Sequence, residues 1–229
     1  MTYMADAGEM VRVKSRDGFE LGAYHVEPAG KRKGGVIVVQ EIFGLSSHIR
    51  EIAERCGEAG YEALAPSMYD RAAPGYIVQP PDVMAEMAKS RELAIGNGPQ
   101  NALNDMGACF DGMKDAGPVF IVGFCYGGSM SWLAAANIPG MAAASCYYGG
   151  NIPDMAGLQP KCPVICHFGT QDHFISKEKV DAIAEKHPDV PIHWYDADHG
   201  FARKLGPTYD AAADKLAWER TLELFAKNG

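Results

Sequence analysis

Apolar residues fall along this chain in two rhythms. Between Met10 and Val26 they alternate with polar residues in Val11 to Lys14 and Phe19 to Val26, on either side of an Arg16-Asp17-Gly18 turn. That pattern predicts an antiparallel hairpin. Beyond it they come in short continuous runs: Gly35 to Gln40, Tyr61 to Ala65, Pro118 to Gly123, Ala142 to Tyr148, Val164 to Phe168 and Ile192 to Tyr195. Such runs suit strands covered on both faces, and here they alternate with helical segments. Two hairpin strands and six runs give an eight-stranded, mostly parallel sheet with helices on both faces, an α/β fold.

The helices carry their own signals. Ile49, Ile52, Ala53 and Cys56 share one face, with Ser46 or Ser47 as the cap and Gly60 as the stop. Further helices are expected over Asp82 to Leu93, Asn101 to Met113, Tyr126 to Ala136, Lys177 to Lys186 and Tyr209 to Phe225. Pro74-Gly75, Pro80-Pro81 and Gly96-Asn97-Gly98-Pro99 punctuate an irregular excursion over residues 66–99, expected to roof a pocket around a short helix. No repeat or composition break marks a second domain, so residues 1–229 are expected to form one.

Composition narrows the classes. With 229 residues, 47% of them hydrophobic, the chain can bury one large core. Lysine and arginine number 21 against 29 acidic residues, a net charge of −8, so no nucleic-acid partner is expected. No apolar run approaches the ~20 residues that span a bilayer, and no basic flank with an apolar core opens the sequence. The expectation is a cytoplasmic protein with no membrane partner, and a monomer, since nothing in the sequence requires a dimer. The six cysteines (Cys56, Cys109, Cys125, Cys146, Cys162 and Cys166) are too sparse for a disulfide scaffold and are expected to be reduced.

One stretch carries chemistry. Gly123-Phe124-Cys125-Tyr126-Gly127-Gly128 follows an apolar run and precedes a helical segment, as in a nucleophile elbow. Such a sharp strand-to-helix turn needs small residues two positions before and after the exposed side chain. Asp172 follows two strands later and His199 one strand after that, each at a strand's carboxyl end. Nucleophile, acid, histidine is the chain order of an α/β-hydrolase.

At these motifs the chain resembles the dienelactone hydrolase family, also called carboxymethylenebutenolidases. The likeness rests on Gln40-Glu41-Ile42-Phe43-Gly44, Tyr69-Asp70-Arg71-Ala72-Ala73-Pro74-Gly75, the elbow, Tyr147-Tyr148-Gly149, Gln171-Asp172-His173-Phe174 and His199-Gly200-Phe201-Ala202-Arg203. It implies an α/β-hydrolase fold and a catalytic set of Cys125, His199 and Asp172. It also implies that Glu41 lies beside the thiol and a pocket arginine, matched by Arg203, and that substrate meets Arg203, Tyr148 and Phe43.

A free thiol ionises near ~8.5, so Cys125 needs His199 as a partner, with Asp172 holding the ring. Attack on an ester carbonyl would give a thioester, and the backbone N–H groups of Ile42 and Tyr126 are the expected oxyanion donors. Glu41 at the end of a core strand needs a partner, either Arg203 or the thiol. The expected reaction is cysteine-dependent hydrolysis of a small lactone or activated ester, with an anionic substrate competing for Arg203.

Two departures from the family pattern concern the substrate. A second pocket arginine is absent from its place near Glu86, where Lys89 and Arg91 are the nearest basic residues, and Gly200 stands where a serine is typical. The alternatives are therefore a broader esterase or thioesterase, and a non-catalytic thiol-redox or small-molecule-binding protein. Cys162, Cys166, His167 and His173 do not suggest a metal site, because residues four apart on a strand lie ~13 Å apart. Neither a metal nor an organic cofactor is expected.

Overall fold

The computed structural model describes residues 7–78 and 85–229. Eight strands form one sheet: β1 (Glu9–Lys14), β2 (Glu20–Val26), β3 (Gly35–Val39), β4 (Glu62–Pro66), β5 (Val119–Phe124), β6 (Ala143–Tyr147), β7 (Val164–Gly169) and β8 (Ile192–Tyr195). Their order across the sheet is β1-β2-β4-β3-β5-β6-β7-β8. The β1–β2 and β2–β4 pairings are antiparallel and the rest parallel. Each expected strand is present, its ends moved by two residues at most.

The burial explains the two rhythms. Every residue of β3 and β5 is buried, because helices cover both faces of the sheet centre, whereas β1 at the edge has exposed and half-buried positions. After β3 the chain runs through α1 (Ser47–Glu58) to β4 on one side; after β5 it runs through α3 (Tyr126–Asn137) to β6 on the other. The two connections leave in opposite directions and open a crevice at the carboxyl ends of β3 and β5, the usual ligand position in open α/β sheets.

Ile49, Ile52, Ala53 and Cys56 form the buried face of α1; Ser46 occupies its cap position but its side chain makes no capping bond. The two helices expected on either side of Gly96-Asn97-Gly98-Pro99 are instead α2 (Met87–Met113), broken only at Gly98 (φ 64°, ψ 165°). Glycine takes the left-handed backbone and Pro99 restarts the helix where a missing N–H does no harm, so one residue suffices for the break. Pro80-Pro81, Met84 and the beginning of the expected Asp82 helix lie outside the described residues. α4 (Lys177–Lys186) matches its expected span, and α5 (Ala211–Lys227) begins two residues later than expected, after Asp210 accepts a capping bond from Ala213 N–H. The six cysteines are free, and no helix among the described residues is long and apolar enough to cross a membrane.

Candidate active site

Cys125 sits between β5 and α3 with φ 54° and ψ −112°, a conformation that side-chain-bearing residues seldom adopt. Its N–H is held by Tyr147 C=O at 3.0 Å. The flanking glycines are dictated by packing. A Cβ on Gly123 would stand 2.1 Å from Gly127 O, and one on Gly127 would stand 2.3 Å from Val39 O. The turn is thus pressed against the end of β3, and Cys125 is half-buried there, at the carboxyl end of β5.

His199 and Asp172 come from the loops after β8 and β7. His199 Nδ1 lies 2.8 Å from Asp172 Oδ2, and Asp172 Oδ1 accepts from the N–H groups of Phe174 (2.8 Å) and Ile175 (3.1 Å). Both carboxylate oxygens are occupied, so the ring's orientation is set by a group that cannot turn. Burial works against a charged imidazole, but the bond to Asp172 and the nearby Cys125 outweigh it and raise the His199 pKa to about 10. The ring therefore holds its second proton at neutral pH.

Ile42 follows β3 in a turn, and its N–H carries no backbone bond among the described residues. Tyr126 opens α3, where a first-turn N–H has no acceptor within the helix. Tyr126 adjoins Cys125 in the elbow, and the backbone of Gln40, two residues before Ile42, packs against Gly127. Gly44 fixes this loop: a Cβ there would fall 1.9 Å from Tyr76 O, and its φ is 77°.

Glu41 is buried and 3.6 Å from Arg203 Nη1, while its Oε2 has no hydrogen bond. Burial pushes its carboxyl upward against the pull of Arg203 and His199. Between the two partners that the sequence leaves open, the structure shows an ion pair with Arg203. The guanidinium also lies over the Phe43 ring at 5.2 Å. Tyr148 (φ 36°) is fully buried 5.0 Å from the His199 ring, its hydroxyl unpartnered and its pKa raised by burial and by Glu41. Gly200 has φ 77°, so a serine there would be strained in this backbone.

Sequence reasoning did not find the tyrosine cluster beside the elbow. Tyr69 lies 5.9 Å from Tyr126 and 6.3 Å from Tyr76, and Asn97 donates to the Tyr126 hydroxyl at 3.2 Å. The only hint was the Tyr69-Asp70 motif, which gives no direction for a ring. Where a second arginine was sought, Glu86 Oε2 accepts from the Tyr76 hydroxyl at 3.5 Å and Lys89 sits over the Tyr76 ring. Among the described residues no guanidinium is recorded against Tyr76 or Glu86.

One expectation needs correcting. Against the cysteine-dependent reading stands a hydroxyl–imidazole network centred on His167. Its Nε2 lies 3.1 Å from Ser145 Oγ, Ser145 Oγ lies 2.8 Å from Thr221 Oγ1, and Tyr195 OH lies 2.8 Å from Nδ1. Cys125 lies close enough to His199 to help hold the imidazole's proton, through a hydrogen bond and through charge. Cys146 is buried beside Cys166, its thiol held well above the usual range by burial. The cysteine-dependent thioester route and the cysteine nucleophile are not retained; a broader esterase without an assigned nucleophile is. Ser145, His167 and Thr221 have no exposed surface, and they tie β6, β7 and α5 together inside the core.

The sheet, the elbow and the histidine–aspartate pair define an α/β-hydrolase. The model of the dienelactone hydrolase family matches residues 21–229. The chain is 32% identical to Carboxymethylenebutenolidase 1 of Cupriavidus pinatubonensis, covering 94% of this chain and 95% of that protein. It is 32% identical to a putative carboxymethylenebutenolidase of Escherichia coli K12, covering 93% and 84%. The crystal structure of a putative dienelactone hydrolase from Klebsiella pneumoniae superposes with a TM-score of 0.78 at 28% identity, covering 96% and 98%. The chain belongs to the dienelactone hydrolase family and is a carboxylic-ester hydrolase of the carboxymethylenebutenolidase type.

Proposed function

We propose that this enzyme hydrolyses small-molecule carboxylic esters and lactones over a broader range than dienelactones, with His199 and Asp172 as its acid–base pair. The observation that carries this is the 2.8 Å bond between His199 and a carboxylate whose other oxygen is held by two N–H groups. Water adds to the carbonyl carbon; the imidazolium gives its proton to the leaving oxygen as that C–O bond breaks, and the neutral ring then takes the surplus proton of the added water. Ile42 and Tyr126 N–H groups receive the charge that develops on the carbonyl oxygen. Cys125, at the turn, belongs to the catalytic site, with Glu41 held by Arg203. Arg203 takes an anionic group where the substrate has one, and Tyr148 and Phe43 line the site. The breadth is supported by the tyrosine and glutamate found where a second arginine was expected.

The same reading makes the chain a single-domain cytoplasmic monomer that works without metal, cofactor or membrane, and its net charge of −8 weighs against a nucleic-acid partner. Size-exclusion chromatography and cell fractionation test it; a stable dimer or a membrane-bound pool would contradict it. The chemical part is tested by aryl acetate hydrolysis with wild type and His199→Gln. A loss of roughly 10²- to 10⁴-fold is expected in the variant, and unchanged turnover would overturn the assignment.

A further inference from the structure

Six large apolar side chains are strongly exposed among the described residues: Met10, Ile77, Ile95, Phe174, Leu205 and Leu216. Phe174 is the one whose ring touches the catalytic histidine. It is 67% exposed, and it stands edge-on to the His199 ring at 5.5 Å and 78°. Its position is not that of a free loop tip, because its N–H donates to Asp172 Oδ1 at 2.8 Å. The carboxylate that orients His199 thus also fixes the backbone from which Phe174 projects.

We propose that Phe174 determines leaving-group specificity by forming an aromatic wall of the leaving-group side of the site. This rests on the function proposed above, in which His199 delivers a proton to the leaving oxygen. The leaving group must then lie against His199, and an exposed ring packed on that imidazole meets it directly. An aryl or enol leaving group stacks or packs edge-on against such a ring, whereas a short alkyl group covers little of it. The exposed apolar surface of Phe174 is buried when the substrate is bound. Specificity for flat, conjugated leaving groups then comes from the wall as well as from leaving-group basicity.

Phenyl acetate and ethyl acetate share an acyl group and separate the two effects when used with wild type, Phe174→Ala, Phe174→Leu and Phe174→Tyr. The alanine variant is expected to raise KM for phenyl acetate roughly three- to tenfold, with less than a twofold change for ethyl acetate. Tyrosine should restore the wild-type ratio and leucine should not, and the pH dependence of kcat should be unchanged in all three. Equal losses for both esters, or full rescue by leucine, would overturn the proposal. If the alanine variant does not fold, the tyrosine and leucine variants alone decide it. A wild type inactive on both esters would instead count against the function proposed above, a different outcome from an active wild type insensitive to Phe174.

Discussion

His199 Nδ1 and Asp172 Oδ2 lie 2.8 Å apart, and the carboxylate is locked by Phe174 and Ile175 N–H groups. Against the cost of burial, Asp172 and the neighbouring Cys125 together keep the imidazole charged at neutral pH. Its pKa of about 10 lies above that of a free histidine near ~6.5. The ring's contribution to stability is therefore complete below ~6.5 and is lost as pH rises through about 10. Replacing Asp172 by Asn is expected to move the NMR titration of His199 back toward ~6.5 and to lower kcat/KM roughly 10²- to 10⁴-fold. A midpoint near ~6.5 in the wild type would contradict the assigned pair.

Glu41 gives a pH dependence through a different cause. Burial raises its folded pKa above the unfolded value near ~4.3. A raised carboxyl contributes stability that is present below ~4.3 and lost as pH climbs through the folded value. The Tm of Glu41→Gln relative to wild type should therefore rise between pH 4 and pH 8. A constant difference would mean that Arg203 fully compensates the buried charge.

Removing Arg203 acts in the opposite sense. Arg203→Met leaves Glu41 as a buried, unpaired carboxylate, a loss of about 3–5 kcal/mol. The double variant with Glu41→Gln should recover much of that stability in denaturant unfolding. Additive losses would show that the two side chains are not coupled.

The elbow makes a steric prediction. A methyl group on Gly127 meets Val39 O at 2.3 Å, against backbone that has no side-chain freedom to yield. Gly127→Ala is expected to destabilise by at least about 1–3 kcal/mol, seen as a Tm lower by roughly 2–12 °C. A Tm equal to wild type would mean that the turn relaxes away from β3.

The eight strands were legible because burial on both faces writes continuous apolar runs into β3 and β5, and a half-exposed edge writes alternation into β1. The elbow was legible because its glycines answer to backbone contacts that any such turn makes. Less visible was the break of α2 at Gly98: four turn-forming residues read as a loop, yet one left-handed glycine is enough. The Tyr69–Tyr76–Tyr126 cluster was invisible, since it joins the stretch after β4 to the start of α3 and an aromatic ring has no spacing rule across loops. The Ser145–His167–Thr221 chain was equally hidden. Its residues sit on β6, β7 and α5, and strand pairing brings them together only in three dimensions.

That buried chain sets up the decisive comparison, because the protein holds two histidines in hydrogen-bonded networks. His199 lies at the crevice, 21% of its side chain exposed, while His167 is fully buried. The most direct measurement is kcat/KM for aryl acetate hydrolysis by folded His199→Gln and His167→Gln proteins, each normalised to the fraction native by circular dichroism. The expected result is a loss of roughly 10²-fold or more in His199→Gln, with His167→Gln lowering Tm but keeping activity per folded molecule. Activity retained in His199→Gln and lost in folded His167→Gln would contradict the assignment of the acid–base pair.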